Sequence, residues 1–226
     1  MINFQNITKI YPPDISALNS VSFEIKEKEF VSLVGRSGAG KTTLLKLLLA
    51  EETPTSGKVF FKENDIHKIK KSQIPWLRRE IGVVFQDYKL FFTKNVFQNI
   101  AYVMEVIGSD KQEIHQNVPE VLDIVGLSHK INNFPAELSG GEKQRLAIAR
   151  ALVHRPKVII ADEPTGNLDP YHTHDIICLL EKINEFGTTI ILATHDKNII
   201  NNLGRRVVTL EHGRLIKDQE KGRFIL

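Results

Sequence analysis

The stretch that decides the fold is GRSGAGKTT, residues 35–43, which lies between the apolar run EFVSLV and the leucine-rich run LLKLLLAEE. The first run favours a buried central strand, and the second favours a helix that is buried along one broad face. Glycines between them allow backbone N–H groups to turn inward toward an anion at the N-terminus of the helix. The spacing fits G-x-x-x-x-G-K-[ST] and predicts a phosphate-binding loop.

Each residue type in this loop has a chemical reason to be there. Lys41 supplies a cation for the β and γ phosphates of a nucleotide, and Thr42 offers a hydroxyl to Mg²⁺, whereas Thr43 supports the phosphates. We expect the whole loop to bind nucleotide, through Gly35, Arg36, Ser37, Gly38, Ala39, Gly40, Lys41, Thr42 and Thr43.

An acidic pair ends a second apolar strand, in KVIIADE. Ligands of open α/β sheets bind at the carboxyl ends of the strands, where Asp162 and Glu163 fall. We predict that Asp162 holds Mg²⁺ and that Glu163 accepts a proton from the attacking water. The pair is weak evidence alone, but the phosphate-binding loop strengthens it.

Three further residues end predicted strands. Gln86 closes GVVFQ and is a candidate for contact with the metal or the attacking water, although an ordinary polar strand end is the simpler interpretation. His195 closes IILATH, where a neutral imidazole can contact the γ phosphate and orient the water. Tyr11, before two prolines, can stack on a base or simply pack, and the residues alone leave its role open.

Composition limits the classes of function. The 226 residues carry 30 Lys and Arg against 27 Asp and Glu, so the net charge of +3 does not imply nucleic-acid binding. A solvated face is the simpler interpretation of the basic clusters at 68–71 and 78–79, a binding patch is the alternative, and the sequence leaves their role unassigned. The one cysteine, Cys178, lies in an apolar run and fits a reducing compartment. No apolar run approaches the length of a bilayer span, and the N-terminus lacks a secretion signal, so we expect a soluble cytoplasmic chain.

The order of elements predicts a single domain over residues 1–226. Segments 1–86 and 152–226 alternate strands and helices, which predicts a nucleotide-binding core with a mostly parallel sheet. The N-terminal strands predict an antiparallel part. The segment 87–151 has helical periodicity and is predicted to be an inserted α-helical subdomain that contains LSGGE, residues 138–142. The predicted fold class is therefore α/β.

Taken together, these motifs resemble those of the ATP-binding cassette (ABC) ATPases across essentially the whole chain. Tyr11 occupies the place of the family's adenine-stacking aromatic, GRSGAGKTT that of Walker A, and Gln86 that of the Q-loop. LSGGE resembles the signature, VIIADE the Walker B motif, and His195 the switch histidine. The resemblance implies a P-loop ATP hydrolase that uses ATP and Mg²⁺.

The resemblance also implies that the site is shared between two chains. Family members pair head to tail, so that Ser139, Gly140 and Gly141 of one chain would cap ATP held by the other. A serine hydroxyl and paired N–H groups at a helix N-terminus suit such an anion site. Asp169 would line the interface of this ATP-dependent homodimer. The chain would be peripheral on the inner face of the cell membrane, through an integral membrane partner.

One motif departs from the sequence that is common in the family. Where the family usually has SALD, residues 166–169 read GNLD, which resembles a subgroup of cell-division, lipoprotein-releasing and macrolide-exporting ATPases. Within it, the segments IPWLRREIGVVFQDYKL and NNFPAELSGGEKQR look most like the cell-division members, and an exporter subunit is the alternative. ABC proteins that act on DNA have a long coiled coil before the signature, which this chain lacks. An ATP-gated binding module with little turnover fits less well because Glu163 is present.

Overall fold

Two sheets make up the β structure of the computed structural model, which describes residues 1–222. The last four residues of the predicted domain, 223–226, lie outside this range. The strands are β1 (Ile2–Tyr11), β2 (Ile15–Ile25), β3 (Phe30–Val34), β4 (Ser56–Phe61), β5 (Asn64–Asp65), β6 (Ile81–Phe85), β7 (Val158–Asp162), β8 (Thr189–Thr194), β9 (Arg206–Glu211) and β10 (Arg214–Gln219). The helices are α1 (Lys41–Leu48), α2 (Ile74–Arg79), α3 (Val96–Ile107), α4 (Lys111–Ile124), α5 (Gly140–Leu152), α6 (Pro170–Glu185) and α7 (Lys197–Leu203).

The larger sheet has six strands in the order β10-β9-β3-β8-β7-β6. All of its pairs are parallel except β9 with β10, which form a hairpin through a turn at His212 and Gly213. The smaller sheet is antiparallel, in the order β2-β1-β4-β5. The predicted α/β class, with a mostly parallel core sheet and an antiparallel N-terminal part, is confirmed.

Two apolar cores cover opposite faces of the larger sheet. Alternate residues of one strand belong to different cores: Ile191 packs with α1 and the antiparallel sheet, whereas Ile190 packs with the helices α3 to α6. Both side chains are buried, which explains the continuous apolar runs of these strands. Helices α3, α4 and α5 fall in the segment that was predicted to be helical.

The register of the parallel strands places their carboxyl ends side by side. Val34 pairs with Thr194, and Asp162 pairs with Ala193 on one side and with Phe85 on the other. The residues that follow these ends are Gly35, His195, Glu163 and Gln86. Four sequence motifs far apart in the chain therefore meet at one edge of the sheet.

Several helix boundaries differ from the sequence expectation. Helix α6 begins at Pro170, because the Asp169 carboxylate accepts hydrogen bonds from the N–H groups of Tyr171 and His172 and caps it. The run from Lys41 leaves the helix after Leu48 rather than continuing through the glutamates. Helices α2 and α7 are short, and their periodicity was too brief to predict.

His154 makes the stability of the fold depend on pH. Burial lowers its pKa from the ordinary value of 6.5, although the backbone of Ile81 opposes this, and its Nδ1 is buried without a hydrogen-bond partner among the described residues. The unfolded chain therefore binds a proton more readily. We expect the free energy of unfolding to fall as the pH falls through about 6.5 toward the lower folded pKa, by at most ~1.4 kcal/mol per pH unit.

The measurement is urea unfolding of the parent and of His154→Gln between pH 7.5 and pH 5.5. The variant should lose less stability over this range, and the exposed His129 changed to Gln is the control. Equal pH slopes for the parent and His154→Gln would contradict the assignment.

Candidate nucleotide-binding site

An open cavity of about 920 Å³ lies at the shared strand edge, beside the N-terminus of α1. Of the loop residues, Gly35 and Arg36 contribute carbonyls behind it. The others line it directly: Ser37, Gly38, Ala39, Gly40, Lys41, Thr42 and Thr43. The loop has the sharp backbone that its glycines predict, since φ is 80° at Gly38 and 103° at Gly40.

Lys41 is fixed at the centre of the loop. Its ammonium nitrogen donates to the Gly35 carbonyl at 2.7 Å and lies 3.5 Å from Oε1 of Glu163. The residue is only 7% exposed. The loop thus holds a desolvated positive charge beside the N-terminus of α1. This arrangement favours a bound anion.

Thr42 and Asp162 come together from different elements. The Thr42 hydroxyl donates to Oδ2 of Asp162 at 3.2 Å, at the place where α1 begins and β7 ends. Burial raises the pKa of Asp162, and the neighbouring Glu163 raises it further, against the Thr42 hydrogen bond and the charge of Lys41. A cation bound between these oxygens would favour the ionised carboxylate.

Glu163 has an uncommon backbone conformation for a residue other than glycine. Its φ is 49°, and its N–H donates to the Ala193 carbonyl at 2.8 Å. The side chain accepts a hydrogen bond from Nδ1 of His195 at 2.8 Å while facing the ammonium of Lys41. Strained backbone of this kind is found at functional sites, and here it directs the carboxylate into the cavity.

Gln86 is held by the loop that follows β7. The amide of Asn167 donates to the Gln86 carbonyl at 3.0 Å. A Cβ added to Gly166 would lie 2.7 Å from Nε2 of Gln86, so the glycine gives this side chain its room. The departure from SALD therefore has a local physical reason in this chain.

Tyr11 does not line the cavity. It ends β1, and its ring lies against the ammonium of Lys9, 4.8 Å from the ring centroid. The nearby wall of the cavity is formed by Ile15, Ser16 and Ala17.

The remaining predicted residues also lie outside the cavity. Ser139 caps α5: its Oγ accepts from the Glu142 N–H, and the Glu142 carboxylate accepts from the Ser139 N–H. A Cβ on Gly141 would lie 2.5 Å from the ring of His172, whose Nδ1 bonds to the Asp169 carboxylate. The N-termini of α5 and α6 thus meet at Gly141 and His172, and neither end lines the cavity beside loop 35–43.

Several residues that line the cavity were not predicted, and two of them lie next to predicted residues. Asn167 lines the cavity and holds Gln86, as described, and Lys46 lines the cavity one turn along α1 from Thr42. The spacing of Lys46 from Thr42 on a helix could have indicated it. For Asn167, the sequence contained no indication of a role at the site beyond its position in the GNLD motif.

The chain matches the model of a known protein family. A family model described as ABC transporter matches residues 18–166, which include loop 35–43, Gln86, LSGGE and the acidic pair. The chain belongs to this family and is an ABC-type ATPase, an enzyme that binds and hydrolyses ATP.

Among curated relatives, the chain is similar to cell division ATP-binding protein FtsE from several bacteria. It is 50% identical to that of Streptococcus pneumoniae over 224 residues, which are 99% of this chain and 97% of the relative. The identity is 47% with the Bacillus subtilis protein, covering 99% and 98%. With the Escherichia coli protein it is 44%, covering 95% and 97%.

Solved structures of the same family have the same fold. The chain superposes on cbiO1 from Clostridium perfringens, part of an ABC transporter complex, with a TM-score of 0.90 and 34% identity, covering 97% of this chain and 88% of that one. A dimeric ATP-binding cassette in a post-hydrolysis state with ADP and Pi gives a TM-score of 0.87 at 34% identity, covering 99% and 100%.

We predict that Gly166→Ser lowers ATP turnover by about tenfold or more, because the new side chain displaces Gln86 and small displacements in a catalytic site are costly. ATP affinity should change less. The measurement is steady-state hydrolysis by the parent, Gly166→Ser, Gln86→Ala and the double variant.

If the serine acts through Gln86, it should have little further effect when Gln86 is already Ala, so the two changes will be non-additive. Fully additive losses would contradict this contact as the cause.

Proposed function

We propose that this chain is the ATPase subunit of an FtsE-like membrane complex. ATP-driven closure of its dimer would act on an FtsX-like membrane partner that controls cell-wall hydrolysis during division. The observation that carries the proposal is the similarity to FtsE proteins of three bacteria over 95–99% of the chain. The alternative is the ATPase subunit of a lipoprotein-releasing or macrolide-type exporter.

The nucleotide would bind in the cavity beside α1. Inward-facing N–H groups of loop 35–43 and the ammonium of Lys41 would hold the phosphates. Because the Lys41 ammonium contacts the carbonyls of Gly35 and Arg36 and one carboxylate oxygen, phosphate oxygens can replace these contacts without leaving the charge unpaired. Tyr11 is proposed to stack on the adenine, which requires it to leave Lys9 or the base to extend along β1.

Glu163 is proposed as the general base. Its carboxylate lies at the cavity edge, held by His195 and Lys41, and would accept a proton from the attacking water. His195 would orient the water and contact the γ phosphate through the ring nitrogen that does not bond to Glu163. Gln86 would contribute its amide from the neighbouring strand end.

The residues present fit a magnesium ion. Thr42 and Asp162 supply a hydroxyl and a carboxylate oxygen 3.2 Å apart, and Gln86 adds an amide oxygen at the same cavity. Thr42, Asp162 and Gln86 are therefore the proposed ligands. When bound, Mg²⁺ would neutralise charge that develops on the β and γ phosphates.

A second copy of the chain would complete the site. Ser139, Gly140, Gly141 and Asp169 lie together but away from their own nucleotide cavity, which supports their action on the partner's ATP. The Ser139 oxygen is already an acceptor in the cap of α5, which leaves its hydroxyl proton to donate to a phosphate. Two structural relatives are described as dimeric cassettes, which supports a dimer of this chain.

The chain would be located at the inner face of the cell membrane, bound there through the membrane partner. No helix among residues 1–222 has the length and apolar character needed to cross a bilayer. The similarity to FtsE proteins supports attachment through a separate membrane protein.

We predict that Glu163→Gln lowers ATP turnover by about 10²-fold or more while ATP binding is kept, because the amide cannot accept the proton. Single-turnover hydrolysis and equilibrium ATP binding measure the two effects. Glu181→Gln is the matched control, since Glu181 lines the adjoining cavity and pairs with Arg205. Near-normal hydrolysis by Glu163→Gln would refute the general base.

We predict that Lys41→Ala in one chain and Ser139→Arg in the other leave one intact composite site. The two lesions then meet in the same site, and the second site has neither. A dimer of a doubly substituted chain with an otherwise unchanged chain should have no intact site. The measurement is ATP retained per dimer, with Glu163→Gln in every chain to prevent turnover.

The reverse pattern would contradict the shared site. If loop and signature served the same chain, the pair of singly substituted chains would retain no ATP, whereas the unchanged chain in the other dimer would.

The membrane partner is tested by purification of the tagged Glu163→Gln chain with ATP from detergent-solubilised membranes of its own cells. We expect an FtsX-like protein, with few spans and an extracytoplasmic domain, together with wall-hydrolysis factors. A transporter with lipoprotein-handling or efflux components would overturn the division role and favour the alternative.

A further inference from the structure

The segment 66–79 concentrates the positive charge of the chain. It contains five Lys and Arg and no Asp or Glu, and it contains the chain's single tryptophan. Extended to 62–80, the segment has six Lys and Arg against three Asp and Glu, a net +3 that equals the net charge of the whole chain. The other 24 basic residues balance the other 24 acidic residues, so the excess lies in this one region.

Apolar and polar contacts fix this segment to the body of the protein. Ile66 is 2% exposed, and Leu77 packs against the core beside α1. Arg78 donates through Nε to the Leu49 carbonyl at 3.1 Å, just after α1. These anchors give the rest of the segment a defined outer face.

The outer face is a basic tryptophan surface, which we define as Lys68, Lys70, Lys71, Trp76 and Arg79. Trp76 is 64% exposed, and the Arg79 guanidinium lies 4.3 Å from its ring centroid. The Lys68 side chain is 72% exposed, with its nearest carboxylate oxygen 4.0 Å away. Lys70 and Lys71 are exposed and form no ion pair within the described residues.

The larger cavities of the described residues lie away from this surface. Four open cavities, of about 350 to 920 Å³, are all lined by residues outside 66–79. A bilayer surface needs no groove, because its charges are mobile and lie in a plane. Lysines attract the anionic headgroups, and the amphipathic indole of tryptophan prefers the level of those headgroups.

We propose that the basic tryptophan surface binds directly to anionic phospholipid at the membrane face. This contact goes beyond the proposed function, because it requires neither ATP nor a protein partner. It adds a second, weaker attachment that holds the ATPase flat against the membrane while the partner protein supplies the specific one. It is electrostatic, so it weakens as salt shortens the Debye length from about 10 Å at 0.1 M to about 3 Å at 1 M.

Trp76 allows a direct test without a label, because it is the only tryptophan of the full chain. The purified chain is titrated with vesicles of phosphatidylglycerol and phosphatidylcholine in equal parts, and with vesicles of phosphatidylcholine alone. We expect a blue shift of the emission, quenching by brominated lipid and co-sedimentation with the anionic vesicles only, all reversed by salt.

Matched variants separate a local surface from net charge. Lys70→Gln with Lys71→Gln should weaken partitioning by about 25-fold, at about fivefold for each charge near an anionic surface. Lys111→Gln with Lys182→Gln removes the same charge from exposed positions elsewhere and should have little effect. Both pairs should retain the parent's ATP hydrolysis, because neither touches the nucleotide cavity.

Three results would overturn the proposal: no shift with anionic vesicles, equal binding to phosphatidylcholine alone, or equal losses in the two lysine pairs. A shift produced by an acidic polyglutamate peptide but not by vesicles would also overturn it and assign the surface to a protein partner. Each of these outcomes leaves the proposed ATPase function unaffected, since no step of that function uses residues 66–79.

Discussion

The parallel register of β3, β8, β7 and β6 is the constraint on which the site depends. It sets the last residues of these strands level, so that the next residue of each emerges at one edge. A register shift of one residue would turn the carboxylate of Asp162 toward the other face of the sheet. The buried Val, Ile and Leu side chains on both faces therefore determine where the polar groups meet.

A chain of polar contacts follows from this alignment. Lys41 faces Glu163, and Glu163 faces His195, with Thr42 and Asp162 alongside. The whole group is built from strand ends and one helix N-terminus, which are rigid elements. The left-handed backbone at Glu163 places its carboxylate toward both Lys41 and His195, and the same loop continues into Gly166 and Asn167, which hold Gln86.

The class of fold and much of the core site could be predicted from the sequence, because loop 35–43 and the acidic pair have local patterns with a defined chemistry. The hydrogen bond from the Asn167 side chain to the Gln86 carbonyl could not be predicted, since it joins residues 81 positions apart through a loop conformation. Tyr11 shows a second limit of prediction from sequence. Its position at a strand end could be predicted, but its contact with Lys9 could not, because that contact depends on side-chain packing. The position of Ser139 outside its own cavity likewise depends on how α5 packs against α6, through Gly141 and His172.

The central claim is that the ATP site is divided between two copies of the chain, and cross-linking tests it most directly. Cys178, the single cysteine, is first changed to Ser. One population then receives Ser37→Cys in the loop and another receives Ser139→Cys in the signature. The account predicts that a short bifunctional thiol reagent links the two populations to each other when ATP is present, with little product without ATP. Linkage that forms only within one chain carrying both cysteines, or between chains regardless of ATP, would contradict it.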